Sequence, residues 1–198
     1  MSIKSYSWIK EPQLRWFESL TLKFLKCGPI PAHMAFIMDG NRRFASRTGV
    51  VRIAGHSKGF DRLTDTIEWF LSLGVREVTV YAFSIENLKR SRDEIDSLMG
   101  LARDKFADLL AEKERLAARG VRIRVIGNLS LLPLDVQKLM IRAMEITRFN
   151  DKFTLNMAIS YTSREEMSNA VAQVFISKWH LYFYHYYTWL LLVEFEFN

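Results

Sequence analysis

The order of apolar segments along the chain constrains the fold most strongly, because from Pro29 onward short apolar runs alternate with helical patterns. Buried parallel strands are predicted over 33–39, 76–83, 121–127 and 153–160, since these segments are rich in β-branched and aromatic residues. Strands that alternate with helices are typical of an open sheet with right-handed crossovers. We therefore expect an α/β fold with an open, mainly parallel sheet flanked by helices.

Three helical patterns lie between the predicted strands. The first covers 57–73, where apolar residues recur at helical spacing. The second begins at Ser91, which forms the pattern of a capping box with Glu94, and ends near Gly120. The third covers 133–144. Their apolar stripes are expected to face the sheet.

The composition excludes a disordered or disulfide-stapled chain. Of the 198 residues, 49% are hydrophobic and 25% are charged, which is enough apolar material for a core. The single cysteine, Cys27, excludes an intrachain disulfide and is typical of a reducing compartment. The 28 basic and 22 acidic residues give a net charge of +6, which suits nucleic acid, anionic lipid or a small diphosphate.

Residues 1–28 form a separate N-terminal amphipathic segment, in which aromatic residues such as Trp8 and Trp16 alternate with lysines and arginines. This pattern suits a helix at a membrane interface, and a terminal helix packed on the domain explains it equally well. No run reaches the roughly 20 apolar residues that span a bilayer, and the start lacks the pattern of a signal peptide.

Residues 174–198 do not follow the pattern of the preceding domain. They contain ten of the 26 aromatic residues, without clean helical or strand periodicity and without glycine or proline. A free tail of this composition would favour aggregation. We expect 29–173 to be the domain and 174–198 to be an aberrant tail foreign to it.

A polar cluster follows the first predicted strand, at the edge where open α/β sheets bind ligands. Asp39 is followed by Gly40, Asn41, Arg42 and Arg43. Amides at a helix start and arginine side chains favour a phosphate group, and a neighbouring carboxylate can hold Mg²⁺ on phosphate oxygens. A turn with solvated arginines would explain the same residues as well.

Two further polar clusters are expected near this edge, one before helix 57–73 and one after the second strand. Their members are Arg52, His56, Ser84, Glu86, Asn87 and Arg90. A single histidine before a helix is more often a cap than a catalyst, but three polar clusters at one edge favour a site. The common nucleotide, dinucleotide, hydrolase and zinc-protease motifs are missing, so another kind of phosphate chemistry is expected.

Five segments together resemble the cis-prenyltransferase family, over about residues 8–173. They are HMAFIMDGNRRFA, GHSKGF, VTVYAFSIENLKRSRDEIDSLM, VRIRVIGNLSLLP and LNMAISYTSREEMSNAV. The second arginine of NRR, and Arg-Ser after ENLK, are similar to the eukaryotic branch rather than to bacterial undecaprenyl diphosphate synthase. The resemblance implies the fold already expected from the alternating pattern.

The resemblance also implies an activity. Similar enzymes condense farnesyl diphosphate or another allylic diphosphate with isopentenyl diphosphate units, forming cis double bonds. The implied product is a long-chain polyprenyl diphosphate for dolichol synthesis and protein glycosylation. Eukaryotic relatives act as a heteromer with a Nogo-B receptor-like subunit, peripherally, at the cytosolic face of the endoplasmic reticulum. This partner is expected for a complete fold, and assembly is expected to be impaired without the part of the family pattern that follows 173.

Residue by residue, the resemblance implies that Asp39 holds Mg²⁺ and that Asp39 and Asn87 are catalytic. Asn87 is favoured as a positioning group over a proton acceptor, because an amide is a poor base. The implied diphosphate-binding residues are Gly40, Asn41, Arg42, Arg43, Arg52, His56, Ser84, Glu86 and Arg90. Nucleic acid is not an expected partner, because the basic residues cluster beside acids instead of forming a continuous stripe.

Two interpretations stay open from the sequence. The apolar stripes of 57–73 and 91–119 are either walls of a channel for the growing chain or ordinary core. The family pattern continues past 173 with an arginine-rich motif implied to bind isopentenyl diphosphate, and this chain lacks it. We expect either a working transferase or a truncated chain that binds an allylic diphosphate or the partner subunit without turnover.

Overall fold

Four strands form one parallel sheet in the order β1-β2-β4-β3 in the computed structural model, which describes Trp8 and residues 15–176. They are β1 (His33–Ile37), β2 (Glu77–Ser84), β3 (Val121–Ile126) and β4 (Phe153–Tyr161). β1 pairs in parallel with β2, and β3 pairs in parallel with β4. The expected α/β fold and all four predicted strands are confirmed.

Helices precede, connect and follow the strands. They are α1 (Trp16–Leu25), α2 (Asn41–Thr48), α3 (Arg52–Leu73), α4 (Arg92–Ala111), α5 (Lys113–Arg119), α6 (Leu134–Ile146) and α7 (163–176). Short 3₁₀ turns cover Ile85–Lys89 and Leu129–Leu131. The chain forms two compact units, Met1–Ser160 and Tyr161–Asn198, and α7 belongs to the second.

Two predicted helix boundaries and one predicted cap were wrong. The helix predicted over 57–73 begins at Arg52, and the pattern predicted from Ser91 to Gly120 forms two helices that meet at Glu112. Ser91 makes no side-chain cap hydrogen bond. The predicted capping box fails because the Glu94 carboxylate is bound by two arginines instead.

The core lies between one face of the sheet and the helices α3, α4 and α6. Its members include Val78, Val80, Ile123, Leu155, Leu63, Ile67, Leu109, Val136 and Met140. Burying such a side chain stabilises the fold by about 1.5–3 kcal/mol. Packing against this face therefore fixes the positions of α3 and α4 relative to the carboxyl end of the sheet.

The predicted terminal segments are only partly described. Within 1–28, α1 contains no buried residue, and Trp16 and Phe24 are strongly exposed. Of the tail 174–198, residues 174–176 belong to α7 and the remainder lies outside the described residues. In the part of the chain that the structure describes, no helix is long and apolar enough to cross a membrane.

Candidate functional site

Asp39 lies at the carboxyl end of β1, directly before α2. Its carboxylate accepts hydrogen bonds from the Gly40 N–H and from Arg43 Nη2, the latter at 3.0 Å. Gly40 caps α2 with a φ of 90°, a left-handed conformation that favours glycine. The Asp39 side chain is 77% exposed, so its oxygens remain accessible to a ligand.

The start of α2 packs closely on α3 through two glycines. A Cβ added to Gly55 would lie 2.5 Å from the main-chain oxygen of Asn41, and one added to Gly59 would collide with the Asn41 side chain. Only glycine permits this approach. The packing brings the Asp39–Arg43 segment beside the first turns of α3.

A buried carboxylate joins the second and third predicted clusters. The Glu94 side chain, 8% exposed, accepts hydrogen bonds from Arg90 Nη1 at 3.0 Å and from Arg52 Nη1 at 3.2 Å. The Arg90 side chain is itself only 19% exposed. Glu94 therefore orients two arginines from different parts of the chain towards the same region.

His56 lies beside these arginines on α3. Its Nε2 atom is buried and has no hydrogen-bond partner among the described residues. Burial lowers the pKa of His56 most, Arg90 and Arg42 lower it further, and Glu94 partly opposes them. The imidazole is therefore neutral at neutral pH and leaves one ring nitrogen available to a ligand.

Ser84 and Asn87 cap each other at the carboxyl end of β2. The Ser84 N–H donates to Asn87 Oδ1 at 3.0 Å, and Ser84 Oγ accepts from the Glu86 N–H at 3.1 Å. The oxygen of Asn87 is thus engaged in holding the turn, which leaves its NH₂ group for other contacts. The Glu86 carboxylate takes no part in this pair of contacts: it is exposed and binds Lys89 Nζ at 2.7 Å.

An apolar cavity of about 150 Å³ begins beside His56 and Asn41. Its walls include Met38, Phe60, Leu63, Val80, Phe83, Leu98, Met99, Ala102 and Ile159. A cavity therefore lies between α3, α4 and the sheet, and many of its lining residues also belong to the hydrophobic core. A wider groove of about 430 Å³ contains Arg52, His56 and Glu94, so the polar groups and the apolar cavity share His56.

The structure thus brings most of the predicted site residues together. Hydrogen bonds or electrostatic interactions link four of them: Arg42, Arg52, His56 and Arg90. Asn41 lines the same cavity as His56. Glu94, which the sequence suggested as a cap, is the residue that joins them. One signal was available: Glu94 lies four positions after Arg90, the spacing of an ion pair on a helix. Nothing in the sequence marks Arg52 as its second partner.

Comparison with solved structures defines the class of protein. The lavandulyl diphosphate synthase of Lavandula x intermedia, solved in complex with dimethylallyl diphosphate, matches with a TM-score of 0.70 and 29% identity. The match covers 76% of this chain and 63% of that one. A probable undecaprenyl diphosphate synthase of Campylobacter jejuni matches with a TM-score of 0.58, 28% identity and coverages of 76% and 64%. The fold is that of the prenyl diphosphate synthases of this α/β type.

The family model for undecaprenyl diphosphate synthase (Prenyltransf) matches residues 37–185, and the chain belongs to this family. It is 54% identical over 168 residues to the dehydrodolichyl diphosphate synthase complex subunit of Homo sapiens, covering 85% of this chain and 50% of the relative. The corresponding subunit of Schizosaccharomyces pombe is 41% identical, with coverages of 82% and 63%. The chain therefore spans about half the length of the human relative, and the resemblance to the eukaryotic branch is confirmed.

Proposed function

We propose that the chain is a cis-prenyltransferase that condenses isopentenyl diphosphate units onto an allylic diphosphate such as farnesyl diphosphate. The observation that carries this proposal is the junction, at His56, of an arginine cluster with an apolar cavity. An allylic diphosphate has the same two parts, an anionic head and a hydrocarbon tail. The similarity to the dehydrodolichyl diphosphate synthase subunits supports a long-chain product for dolichol synthesis and protein glycosylation.

The arginines act on the leaving group. In the reaction, C1 of the allylic substrate forms a bond with C4 of isopentenyl diphosphate, its bond to the diphosphate oxygen breaks, and a proton leaves C2 of the isopentenyl unit. Arg42, Arg43, Arg52 and Arg90 stabilise the negative charge that develops on the departing diphosphate. Because Glu94 already holds Arg52 and Arg90, little reorganisation is needed as this charge develops.

His56 and Asn87 supply neutral polar groups. The unpartnered ring nitrogen of His56 can donate a hydrogen bond to a diphosphate oxygen in the matching tautomer. Asn87 uses its oxygen to hold Ser84, so its NH₂ group orients the isopentenyl diphosphate. This arrangement supports a positioning role and argues against proton abstraction by the amide.

Asp39 is the residue that would hold Mg²⁺. Among the described residues no group of three or more His, Cys, Asp or Glu side chains surrounds a common point. A single exposed carboxylate fits an ion that takes its other ligands from substrate phosphate and water, as Mg²⁺ usually does. When bound, Mg²⁺ would supply Lewis-acid stabilisation of the leaving diphosphate.

The experiment is incorporation of labelled isopentenyl diphosphate into long-chain lipid, with farnesyl diphosphate and Mg²⁺, for wild type and Asp39→Ala. Each is assayed with and without a Nogo-B receptor-like subunit, the heteromeric partner we propose. Product that disappears in Asp39→Ala supports the transferase. Binding of farnesyl diphosphate without product under every condition favours the alternative, a chain that binds the allylic diphosphate or the partner without turnover.

We also propose peripheral binding at the cytosolic face of the endoplasmic reticulum, through α1. Trp16 and Phe24 are 80% and 78% exposed, and Lys23 lies in the last turn of the same helix. Exposed aromatic and basic side chains on one helix suit a lipid interface. Flotation with phosphatidylinositol-containing vesicles should be lost in Trp16→Ser/Phe24→Ser and kept in the control Phe149→Ser, where an equally exposed ring lies beyond α6.

A further inference from the structure

Two acids of the site bind arginines, and their carboxylates differ in accessibility. The Glu94 carboxylate, which binds Arg52 and Arg90, is 8% exposed and is therefore shielded from solvent and from ions. The Asp39 carboxylate binds Arg43 Nη2 at 3.0 Å, and these two side chains are 77% and 74% exposed. The Asp39–Arg43 pair is thus open to competition from a ligand, whereas the arginines on Glu94 keep a fixed partner.

Both oxygens of the Asp39 carboxylate are already engaged. Oδ2 accepts the hydrogen bond from Arg43, and Oδ1 accepts one from the Gly40 N–H. Asp39 is also the residue proposed to hold Mg²⁺, so the ion and the guanidinium group would lie on the same carboxylate. Two cations that share one carboxylate repel each other, because the interaction energy of two charges grows as their separation falls. A cation at Asp39 would therefore weaken the bond to Arg43.

Arg43 can leave Asp39 without a change in the backbone. It lies four positions after Asp39, in the first turn of α2, and an exposed side chain changes rotamer within nanoseconds. The position of α2 itself is fixed, because Asn41 packs against Gly55 and Gly59 of α3. A guanidinium group that is free of its acid presents a planar pair of N–H donors, which suits a phosphate group. Arg43 therefore has two alternative anions to bind, the Asp39 carboxylate and the substrate diphosphate.

We propose that Asp39 is a positioning residue for Arg43 as well as the metal-holding carboxylate, an inference that rests on the proposed function. Without a divalent cation, Asp39 keeps Arg43 from the substrate diphosphate. A cation on Asp39 releases the guanidinium group, and Arg43 then binds the diphosphate. Because the coupling of two binding events is reciprocal, the cation and the diphosphate strengthen each other's binding through this arginine.

The first test measures the metal-free chain, where no activity is needed. Calorimetry in EDTA gives the affinity for the thiolodiphosphate analogue of farnesyl diphosphate, which resists turnover. Asp39→Asn removes the charge that holds Arg43, so this variant should bind the analogue about two- to fivefold more tightly than wild type, the range expected for an exposed ion pair. Arg43→Gln should differ little from wild type under these conditions, because Asp39 already withholds the arginine.

The double variant Asp39→Asn/Arg43→Gln distinguishes the release of Arg43 from the simple removal of a negative charge. If Arg43 carries the effect, the gain seen in Asp39→Asn should disappear in the double variant. Asp93→Asn is the matched control, since Asp93 is an exposed acid that lines the groove of Arg52 and, in the part of the chain that the structure describes, pairs with no arginine. It should gain less affinity than Asp39→Asn.

The second test adds Mg²⁺. Wild type should bind the analogue more tightly with saturating Mg²⁺ than in EDTA, and Arg43→Gln should reduce the ratio of these two affinities by about two- to fivefold. The reduction should come from weaker binding with Mg²⁺, while the affinity in EDTA stays close to that of wild type.

The outcomes separate this inference from the proposed function. A wild-type chain that binds the analogue neither in EDTA nor with Mg²⁺ overturns the proposed function and this inference with it. A wild-type chain that binds the analogue, while Asp39→Asn shows no gain in EDTA, overturns the positioning role of Asp39 alone. A gain that persists in the double variant reflects charge alone and also overturns that role, as does an affinity ratio that Arg43→Gln leaves unchanged.

Discussion

Glu94 and Arg52 lie 42 positions apart in the sequence, yet the Glu94 carboxylate accepts a hydrogen bond from Arg52 Nη1 at 3.2 Å. The same carboxylate binds Arg90 at 3.0 Å, and it is 8% exposed. This one carboxylate thereby connects three places in the fold: the start of α3, the 3₁₀ turn after β2 and the start of α4. If Arg52 and Arg90 bind a diphosphate as proposed, we expect that binding to depend on this carboxylate.

We expect Glu94→Gln to lower the free energy of unfolding by about 1–3 kcal/mol, because it leaves the half-buried Arg90 without its charged partner. The KM for farnesyl diphosphate should rise, since both arginines lose their orientation. Urea denaturation and steady-state kinetics measure the two effects. Glu145→Gln is the control: its pair with Arg142 is exposed on both sides, and its loss should cost no more than about 0.5 kcal/mol. Equal effects of the two changes would contradict this account of Glu94.

His56 predicts a pH dependence of stability. Burial, Arg90 and Arg42 lower the folded-state pKa of His56 from 6.5, and Glu94 partly opposes them. As the pH falls, His56 is therefore protonated at a higher pH in the unfolded chain than in the folded chain. The free energy of unfolding should therefore be highest above pH 6.5 and should decrease below it, towards the folded-state pKa. Between about pH 7.5 and pH 5, the free energy of unfolding should decrease less for His56→Gln than for wild type, as denaturation curves would show. Other groups that titrate in this range contribute equally to both proteins.

The contact between Gly55 and Asn41 predicts a steric effect. Gly55→Ala should reduce stability by about 1–3 kcal/mol, because the new Cβ meets a main-chain oxygen that cannot move aside alone. It should also weaken the binding of farnesyl diphosphate, since α2 carries Arg42 and Arg43. Gly100→Ala, in the interior of α4 with open space around it, should instead stabilise the fold by up to about 1 kcal/mol. If Gly55→Ala raised the free energy of unfolding as Gly100→Ala does, that result would contradict the close approach of α2 and α3.

The sequence predicted the sheet well because buried parallel strands are marked by local apolar runs. Observed strands such as β3 (Val121–Ile126) end within a residue or two of the predicted segments. Helix boundaries were less accurate: α3 begins at Arg52 instead of 57, and Gly55 lies inside it as a contact point with Asn41. A glycine needed for close packing cannot be distinguished from a glycine that ends a helix by its sequence position alone.

The candidate site was predicted as a set of clusters but not as a network. Local spacing indicated that Arg52 and Arg90 belong to one edge of the sheet, and it suggested Glu94 as a helix cap. The pairing of Glu94 with Arg52 depends on how α3 and α4 pack, which no local pattern encodes.

The last prediction separates the two functions of Asn87. Its oxygen accepts the Ser84 N–H at 3.0 Å, and Asn87→Asp keeps an acceptor at this position while it removes the NH₂ group. We expect the melting temperature of Asn87→Asp to stay close to that of wild type, while kcat falls by about a hundredfold or more. Asn128→Asp is the matched control, because Asn128 caps the other 3₁₀ turn by accepting the Ser130 N–H in the same way. If Asn87→Asp were as active as Asn128→Asp, Asn87 would serve only to hold the turn, and the orientation of the isopentenyl unit would have to come from another group.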